Sequence, residues 1–488
     1  MPQFWVGTGS ALSRHSWGDR MTVEAQLAEY VVSLRYGGID AATRASFGRM
    51  LLDTVGVAIA GFRESSCRPV AGALCAWDQE GVASVVGSER RVSPPVAAFA
   101  NGVYAHWCEW DDSHDPSHVH ASAVIFPALL AAFEASDPSG ETADGEEFLA
   151  ATIAAFDVAC RVGKFLKPFI HRGWMPTGTG GAVGAAAGAA RLLGLDASGV
   201  QSAMGIAAAG SGLSRQALAD LVNGKNILAG VAAKIGVESA LLARAGVSGA
   251  PKFLTGDYGL QALYADGQGD ASEVLEGLAT RFSINEVSVK PYPCCRSAHP
   301  ALDIVFDVLN EQPSVASDVD SILFKVPRGV YERVGRPFEA GNNPRMAALF
   351  SVPYTAAVAM RKGAVAPDDF DPQFVTDIPV DIASLIGKIT VEPVSVPDEA
   401  ADPMVPTAAS FRLSDGSRID RTVDTVKGAP DHPLTHDEEE QKLSIAVGEA
   451  LSRDDIDDLA TAARGIPDTS VATLLDCVRR PQLPELQA

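Results

Sequence analysis

The chain has 488 residues, 47% of them hydrophobic, which is enough for a large core and for two domains or one domain with a large insertion. Its 39 basic and 61 acidic residues give a formal net charge of −22, which disfavours nucleic acid and anionic membrane surfaces as partners. Seven cysteines without a CxxC spacing favour reduced thiols and a cytoplasmic protein, and they argue against a structural zinc site.

The N-terminal half has a helical pattern. Residues 1–20 contain no apolar run of signal-peptide length, so we predict a flexible leader there. From 21 to 268 apolar residues recur at helical spacing, with Thr22 and Pro94 at predicted helix starts. A further short helix is predicted from Pro69 to Gly81, followed by a short extended piece in GVASVVGSERRV. No stretch reaches the ~18 uninterrupted apolar residues of a membrane span. We therefore predict a large all-helical domain over 21–268.

The stretch from His106 to Pro127 holds four of the nine histidines between two apolar segments that are predicted helices. A loop held by two buried helices is a common location for catalytic groups, whereas a solvated acidic loop is the alternative. These side chains also include ligand types for zinc, manganese or iron. Their spacing matches no recognised metal motif, so we expect no metal.

Two later segments, AVGAAAGAARLLGL and LAGVAAKIGVESALLARAG, are predicted helices in which repeated glycine indicates very close packing. Between them, Lys225 precedes an apolar helix start. A cation there is unfavourable to the helix dipole but would help it to attract an anion. Lys225 is thus a candidate ligand-binding residue, with an exposed lysine of no function as the alternative.

Alternation of β-branched residues begins after residue 268. INEVSVKPYP, SILFKVP, GKITVEPVSV and a hairpin at Asp415-Gly416 are predicted strands, with helices between them. This pattern predicts a smaller α+β lid domain over 269–430, so the fold class is mainly α with α+β. Residues 431–488 are expected to form C-terminal helices that pack back on the helical domain.

Five motifs occur in a fixed order: NGVYAHWCEWDDSH, RGWMPTGTGG, NGKNILAGVAAKIG, VKPYPCCRSAHPALD and NNPRMAALFSVPY. Together they resemble the MmgE/PrpD family, which includes 2-methylcitrate dehydratase, cis-aconitate decarboxylase and iminodisuccinate epimerase. The resemblance covers about residues 21–442. It implies a cofactor-free enzyme, usually a homodimer, in which an all-helical domain and an α+β lid enclose the active site.

The resemblance also implies roles for individual residues. The expected catalytic residues are His120, Lys225, Lys290, Tyr331 and Glu109. The expected substrate-binding residues are Asp111, Asp112, Ser113, His114, Met175, Thr177, His299 and Arg336. Lys290 is expected to reach the substrate only when the lid closes and excludes water.

Three positions depart from the family pattern. Glu109 replaces an aspartate, which keeps the charge but lengthens the side chain. Met175 and Leu228 stand where relatives often carry histidine. Because a thioether cannot shuttle a proton, Met175 predicts a more apolar cleft wall and a substrate with an uncharged group beside its carboxylate.

The chemistry of this family moves a proton at a carbon next to a carboxylate, which requires fixed cations and an acid or base. Lys225 and Lys290 are the expected cations, His120 the acid or base, and Tyr331 the proton donor to a leaving hydroxyl. We expect a lyase, either a dehydratase or a decarboxylase, acting on a small carboxylate. An epimerase and a degenerate, non-catalytic binding subunit remain as alternatives, and His106 and His114 are open to structural roles.

Overall fold

A computed structural model describes residues 21–78, 80–137, 145–396 and 403–483, and the predicted leader lies outside this range. The protein is mainly α-helical with a small mixed sheet, which confirms the predicted fold class. The first part contains the helices α1 Val23–Ser33, α2 Ala41–Arg63, α3 Arg68–Ala71, α4 Pro94–Trp107, α5 Ala121–Ser136, α6 Gly145–Leu166, α7 Pro176–Leu192, α8 Ala197–Gly210, α9 Gln216–Ala219, α10 Leu228–Arg244 and α11 Leu260–Ala265. A hairpin of β1 Ala83–Val85 and β2 Ser88–Val92 precedes α4, as the sequence predicts.

Helices α4, α5, α6, α7 and α10 pack together in one large hydrophobic core. Glycine lets them approach closely, as predicted. A Cβ added to Gly102 on α4 would lie 2.7 Å from the Cα of Gly230 on α10, and one added to Gly184 on α7 would lie 2.5 Å from the carbonyl oxygen of Ala155 on α6. Substitution by alanine would force these helices apart.

A second hydrophobic core lies between residues 294 and 413. Its elements are α12 His299–Glu311, α13 Val315–Asp318, β3 Val319–Pro327, α14 Arg328–Val334, α15 Pro344–Leu349, α16 Val352–Lys362, α17 Pro372–Thr376, α18 Val380–Ile386, β4 Ile389–Val394, β5 Thr407–Leu413 and β6 Arg418–Val423. The sheet order is β4-β3-β5-β6, in which β3 and β4 are parallel and the other pairs antiparallel. The buried face of β3 alternates Ile322, Phe324 and Val326.

The chain returns to the first core through α19 His436–Val447, α20 Arg453–Arg464 and α21 Val471–Arg479. Thr435 caps α19, and Glu438 completes a capping box. Leu443, Leu459 and Leu474 of these helices belong to the first hydrophobic core. The C-terminal helices therefore pack on the helical part of the protein.

Two predictions of secondary structure were wrong. The INEVSVKPYP segment is not a strand: it contains a 3-10 turn at Ser283–Glu286 and a single bridge from Ser288 to Ser113. The predicted helix from Pro69 to Gly81 is reduced to α3 and a 3-10 turn at Cys75–Trp77.

Two segments, Ala41–Arg63 and Asn223–Arg244, are long and apolar enough to cross a membrane. However, 72% and 56% of their apolar windows are buried inside the protein, as in core helices.

Candidate active site

The loop between α4 and α5, up to the N-cap of α5, carries the carboxylate- and histidine-rich part of the candidate set, as predicted: Glu109, Asp111, Asp112, Ser113, His114 and His120. Helix α4 ends at Trp107, and His120 stands at the N-terminus of α5. Within the loop, Glu109 and His118 have positive φ angles of 51° and 57°. A left-handed backbone costs a non-glycine residue about 1–2 kcal/mol. Such strain is often retained where side-chain direction matters for function.

A buried chain of hydrogen bonds crosses this loop. The ammonium of Lys225, on a 3-10 turn before α10, pairs with the carboxylate of Glu109 and lies 2.9 Å from His106 Nε2. His106 Nδ1 lies 2.7 Å from Asp111 Oδ2, and the same oxygen lies 3.1 Å from His120 Nδ1. The order is therefore Glu109, Lys225, His106, Asp111, His120.

The contacts of His120 assign its tautomer. Its Nδ1 also lies 2.8 Å from the backbone carbonyl oxygen of Asp112, so two acceptors face this nitrogen. A proton on Nδ1 donates to the Asp112 carbonyl and lies beside the Asp111 carboxylate, which leaves the lone pair of the neutral ring on Nε2. The His120 backbone N–H donates to Thr177 Oγ1 at 3.1 Å, which fixes the ring at the start of α5. The side chain is 16% exposed, so solvent reaches it in part.

Burial shifts the pKa values of this cluster. It lowers the pKa of His106 to about 3, against the opposing effect of Asp111, so His106 is neutral at physiological pH. Burial also lowers the pKa of Lys225, and the charge of Lys290 adds to this shift. Burial alone would raise the pKa of Asp111, but His106, His120 and Lys290 hold it well below its usual value.

The pKa of Asp112 shifts in the opposite direction to that of its neighbour Asp111. Burial, followed by repulsion from Asp111, raises the pKa of Asp112 to about 7. Its Oδ1 accepts from the Ser122 backbone N–H at 3.0 Å, whereas its Oδ2 is buried without a hydrogen-bond partner among the described residues. A carboxyl group that is about half protonated at pH 7 and fully protonated below about pH 5 fits this position.

Lys290 lies behind the loop and is completely buried, at 0% exposure. Its ammonium donates to the Glu109 carbonyl oxygen at 2.8 Å and lies 3.6 Å from Glu109 Oε2 and 3.7 Å from Asp111 Oδ1. Lys225 and Lys290 thus balance the carboxylates of Glu109 and Asp111. The positive charge of the two lysines is largely compensated inside the protein.

Three side chains could also hold a metal ion, since one ligand atom from each of His106, Asp111 and His120 lies within 4.8 Å of the others. Hydrogen bonds account for the two Asp111 contacts, and the Lys225 ammonium occupies the other edge of His106. A nearby ammonium opposes a divalent cation. The trio fits a proton-transfer chain better than a metal centre.

A cleft between the two hydrophobic cores reaches His120, the last residue in this series of side-chain contacts. It encloses about 680 Å³ free of atoms, including space open to solvent. Its charged lining consists of the basic Lys225, Arg215, Arg296 and Arg333 and the acidic Glu109 and Asp115. Basic groups outnumber carboxylates in this lining although the whole chain has a net charge of −22, which favours binding of an anion in the cleft.

The structure brings only part of the predicted site to the cleft surface. Among the predicted residues, those lining it are Glu109, Ser113, His120, Met175 and Lys225. Those buried outside that lining are Asp111, Asp112, Thr177, Lys290 and His299.

The remaining predicted residues lie elsewhere. His114 lines a neighbouring pocket and contacts Ser117 and Glu286. Tyr331 is partly buried against the second core, and Arg336 is exposed in an adjoining opening of about 1590 Å³.

Sequence reasoning missed the arginines of the cleft. Arg296 stands inside the quoted motif VKPYPCCRSAHPALD, and Arg333 is two residues after Tyr331. Because an acidic chain needs local basic residues to bind an anionic substrate, every basic residue near a motif is a candidate. Arg215, Arg296 and Arg333 have the same charge as the predicted lysines and line the same cleft.

Comparison with known proteins agrees with this architecture. Residues 25–272 match the family model described as the MmgE/PrpD N-terminal domain, and residues 292–464 match that of the MmgE/PrpD C-terminal domain. The chain belongs to the MmgE/PrpD family. The two matches divide at residues 273–291, next to the change from the first hydrophobic core to the second.

Curated relatives in the MmgE/PrpD family are similar over most of their length. The cis-aconitate decarboxylase-like protein oryM of Aspergillus oryzae is 28% identical, with 86% of this chain and 89% of the relative covered. Cis-aconitate decarboxylase of Aspergillus terreus is 24% identical (93% and 96% covered), and that of Homo sapiens is 26% identical (90% of each). The chain is an enzyme of the lyase class.

Proposed function

We propose that this lyase is a decarboxylase acting on a small carboxylate without a metal or organic cofactor. The observation that carries the proposal is the series of contacts from Lys225 to His120, two hydrogen bonds and a 3.1 Å contact of Asp111 with His120, which ends at a cleft with an excess of basic side chains. Acid-base groups beside an anion-binding surface suit proton transfer at a carbon next to a carboxylate. The names of the relatives support loss of carbon dioxide as the reaction.

His120 is the proposed acid and base. Its Nδ1–H is held by Asp111 and the Asp112 carbonyl, so Nε2 is the atom that exchanges a proton with the substrate. The negative charge of Asp111 stabilises the imidazolium that forms when Nε2 takes a proton. His106, neutral and fully buried, holds Asp111 from the other side and therefore has a positioning role.

In the proposed reaction the bond between a substrate carbon and its departing carboxylate breaks, and carbon dioxide leaves. The electron pair stays on the substrate and delocalises into an adjacent carbonyl or double bond. His120 in its imidazolium form, which Asp111 stabilises, then transfers its Nε2 proton to this carbon to form the new C–H bond, and the neutral ring takes up a new proton from solvent. Lys225 is positioned to stabilise the developing negative charge, since the residue lines the cleft and its ammonium is already oriented by Glu109 and His106.

Dehydration is the second reaction that the sequence analysis considered. It requires an acid that protonates the leaving hydroxyl, and Tyr331 was the expected donor. Tyr331 does not line the described cleft and packs against the second core. This placement favours decarboxylation, because that reaction needs only the single acid-base group at His120.

The proposal is tested by incubating the purified protein with unsaturated di- and tricarboxylates, including cis-aconitate, and measuring carbon dioxide release and product formation by NMR. The expected result is release that persists after dialysis against a chelator and falls at least about 100-fold in His120→Asn, since a general acid or base contributes 10²–10⁴-fold. His436→Gln, at an exposed histidine on α19, is the matched control. Activity that requires an added divalent metal, or that survives in His120→Asn, would contradict it.

A further inference from the structure

Arg296 occupies an unusual position in the cleft wall. It stands on the 3-10 turn Arg296–Ala298 before α12 and is only 5% exposed, yet it lines the cleft. Its Nη1 donates to the Lys427 carbonyl oxygen at 2.7 Å and lies 3.4 Å from His299 Nδ1. Its Nε lies 3.4 Å from Asp115 Oδ2, a longer contact. The guanidinium is therefore oriented by Lys427 and His299 and by an ion pair with Asp115, which also lines the cleft.

The remaining nitrogen of this guanidinium has no partner. Arg296 Nη2 is buried and has no hydrogen-bond acceptor among the described residues. Buried donors are normally paired, so an unpaired donor on a residue that lines the cleft is consistent with an acceptor that arrives with a ligand. A guanidinium matches the planar geometry of a carboxylate, which makes a carboxylate the fitting acceptor.

Neighbouring groups extend the same surface. Arg333 Nε donates to Ser297 Oγ at 2.9 Å, and both residues line the cleft beside Arg296. The two lysines belong to the acid-base cluster instead: Lys225 contacts Glu109 and His106, and Lys290 donates to the Glu109 carbonyl. The lid side of the cleft therefore offers positive charge that the acid-base cluster does not use.

We propose that Arg296, with Arg333 and Ser297 beside it, forms a carboxylate-binding subsite for a second carboxylate of the substrate, the one that does not leave. This inference rests on the proposed function for the reacting carboxylate. It places the substrate among acids with at least two carboxylates, one held at the lid and the other presented to His120 and Lys225.

Binding of two inert acids tests the subsite without turnover. Pentanedioate and pentanoate have the same five-carbon chain and differ by one carboxylate. Calorimetric titration of the wild-type protein is expected to show a preference for pentanedioate of about tenfold or more, the contribution of one charge-assisted hydrogen-bonded pair. Arg296→Gln should lose this preference while its affinity for pentanoate changes less than about threefold, and Arg296→Lys should retain part of it.

Arg328→Gln, at an exposed arginine on α14 that pairs with Glu332, is the control and should keep the wild-type preference. Thermal unfolding of each variant identifies any loss of folding, and Arg296→Lys serves if Arg296→Gln does not fold. The inference is overturned if the wild-type protein has no preference for the diacid, or if folded Arg296 variants keep it in full. If the protein prefers pentanedioate but shows no decarboxylation that depends on His120, the proposed function is rejected and the subsite is retained.

Discussion

Asp112 provides a prediction that can be worked from the structure. Its pKa is raised from 3.8 to about 7 by burial and by the charge of Asp111. Between pH 3.8 and about pH 7, the folded protein keeps a proton on Asp112 that the unfolded chain has released. The stability contributed by Asp112 is therefore present at low pH and is lost as the pH rises toward 7.

The full shift corresponds to at most about 4 kcal/mol, at 1.36 kcal/mol per pKa unit. About 2–3 kcal/mol of this is lost between about pH 5 and about pH 8. Asp112→Asn removes the titration, because asparagine is neutral throughout and its Oδ1 can still accept from the Ser122 N–H. The stability of the variant relative to the wild type should rise by about 2–3 kcal/mol over this pH range.

Urea unfolding followed by tryptophan fluorescence measures this difference, since Trp107 and Trp110 are buried in the same loop region. Other groups titrate in both proteins and cancel in the comparison. Asp257→Asn, at an exposed aspartate, is the control and should show no pH-dependent difference. A difference between Asp112→Asn and the wild type that stays constant with pH, or changes in the opposite direction, would refute the reasoning.

Further predictions concern the lysines and the apolar wall. Lys225→Met should lower the free energy of unfolding by about 3–5 kcal/mol, because it leaves the buried Glu109 carboxylate unpaired, and adding Glu109→Gln should recover much of the loss in urea unfolding. Lys290→Ala should reduce both activity and melting temperature, because Lys290 is completely buried; an unchanged melting temperature would contradict this placement. Met175→His should lower turnover of the preferred substrate and raise that of tricarboxylates such as cis-aconitate, whereas rapid turnover of cis-aconitate by the wild type would show that Met175 does not restrict the substrate.

The sequence predicted most helices because their apolar faces repeat along the chain, and the Asp415-Gly416 hairpin because its turn residues are specific. It failed for INEVSVKPYP. Alternation alone predicts a strand only if a neighbouring strand is available, and here Ser288 pairs with Ser113 of the candidate active-site loop. The result places Lys290 behind Glu109 as an internal residue.

The sequence predicted the loop that carries the candidate site, but not the network of side-chain contacts within it. Motifs located His120, Glu109 and Lys225, whereas the order of hydrogen bonds depends on side-chain directions that spacing does not specify. The same limit applies to Arg296, which reaches the cleft because the turn before α12 directs it there. Long-range placement of this kind requires the folded structure.

Solvent-deuterium incorporation tests the central claim most directly. In D₂O the wild-type protein is expected to release carbon dioxide from its substrate and to place one deuterium on the carbon that bore the departing carboxylate, as read by NMR. His120→Asn should reduce the rate of both events at least about 100-fold, while its melting temperature and its binding of pentanedioate remain close to those of the wild type. Deuterium incorporation at the wild-type rate in folded His120→Asn would contradict the assignment of His120 as the acid-base group.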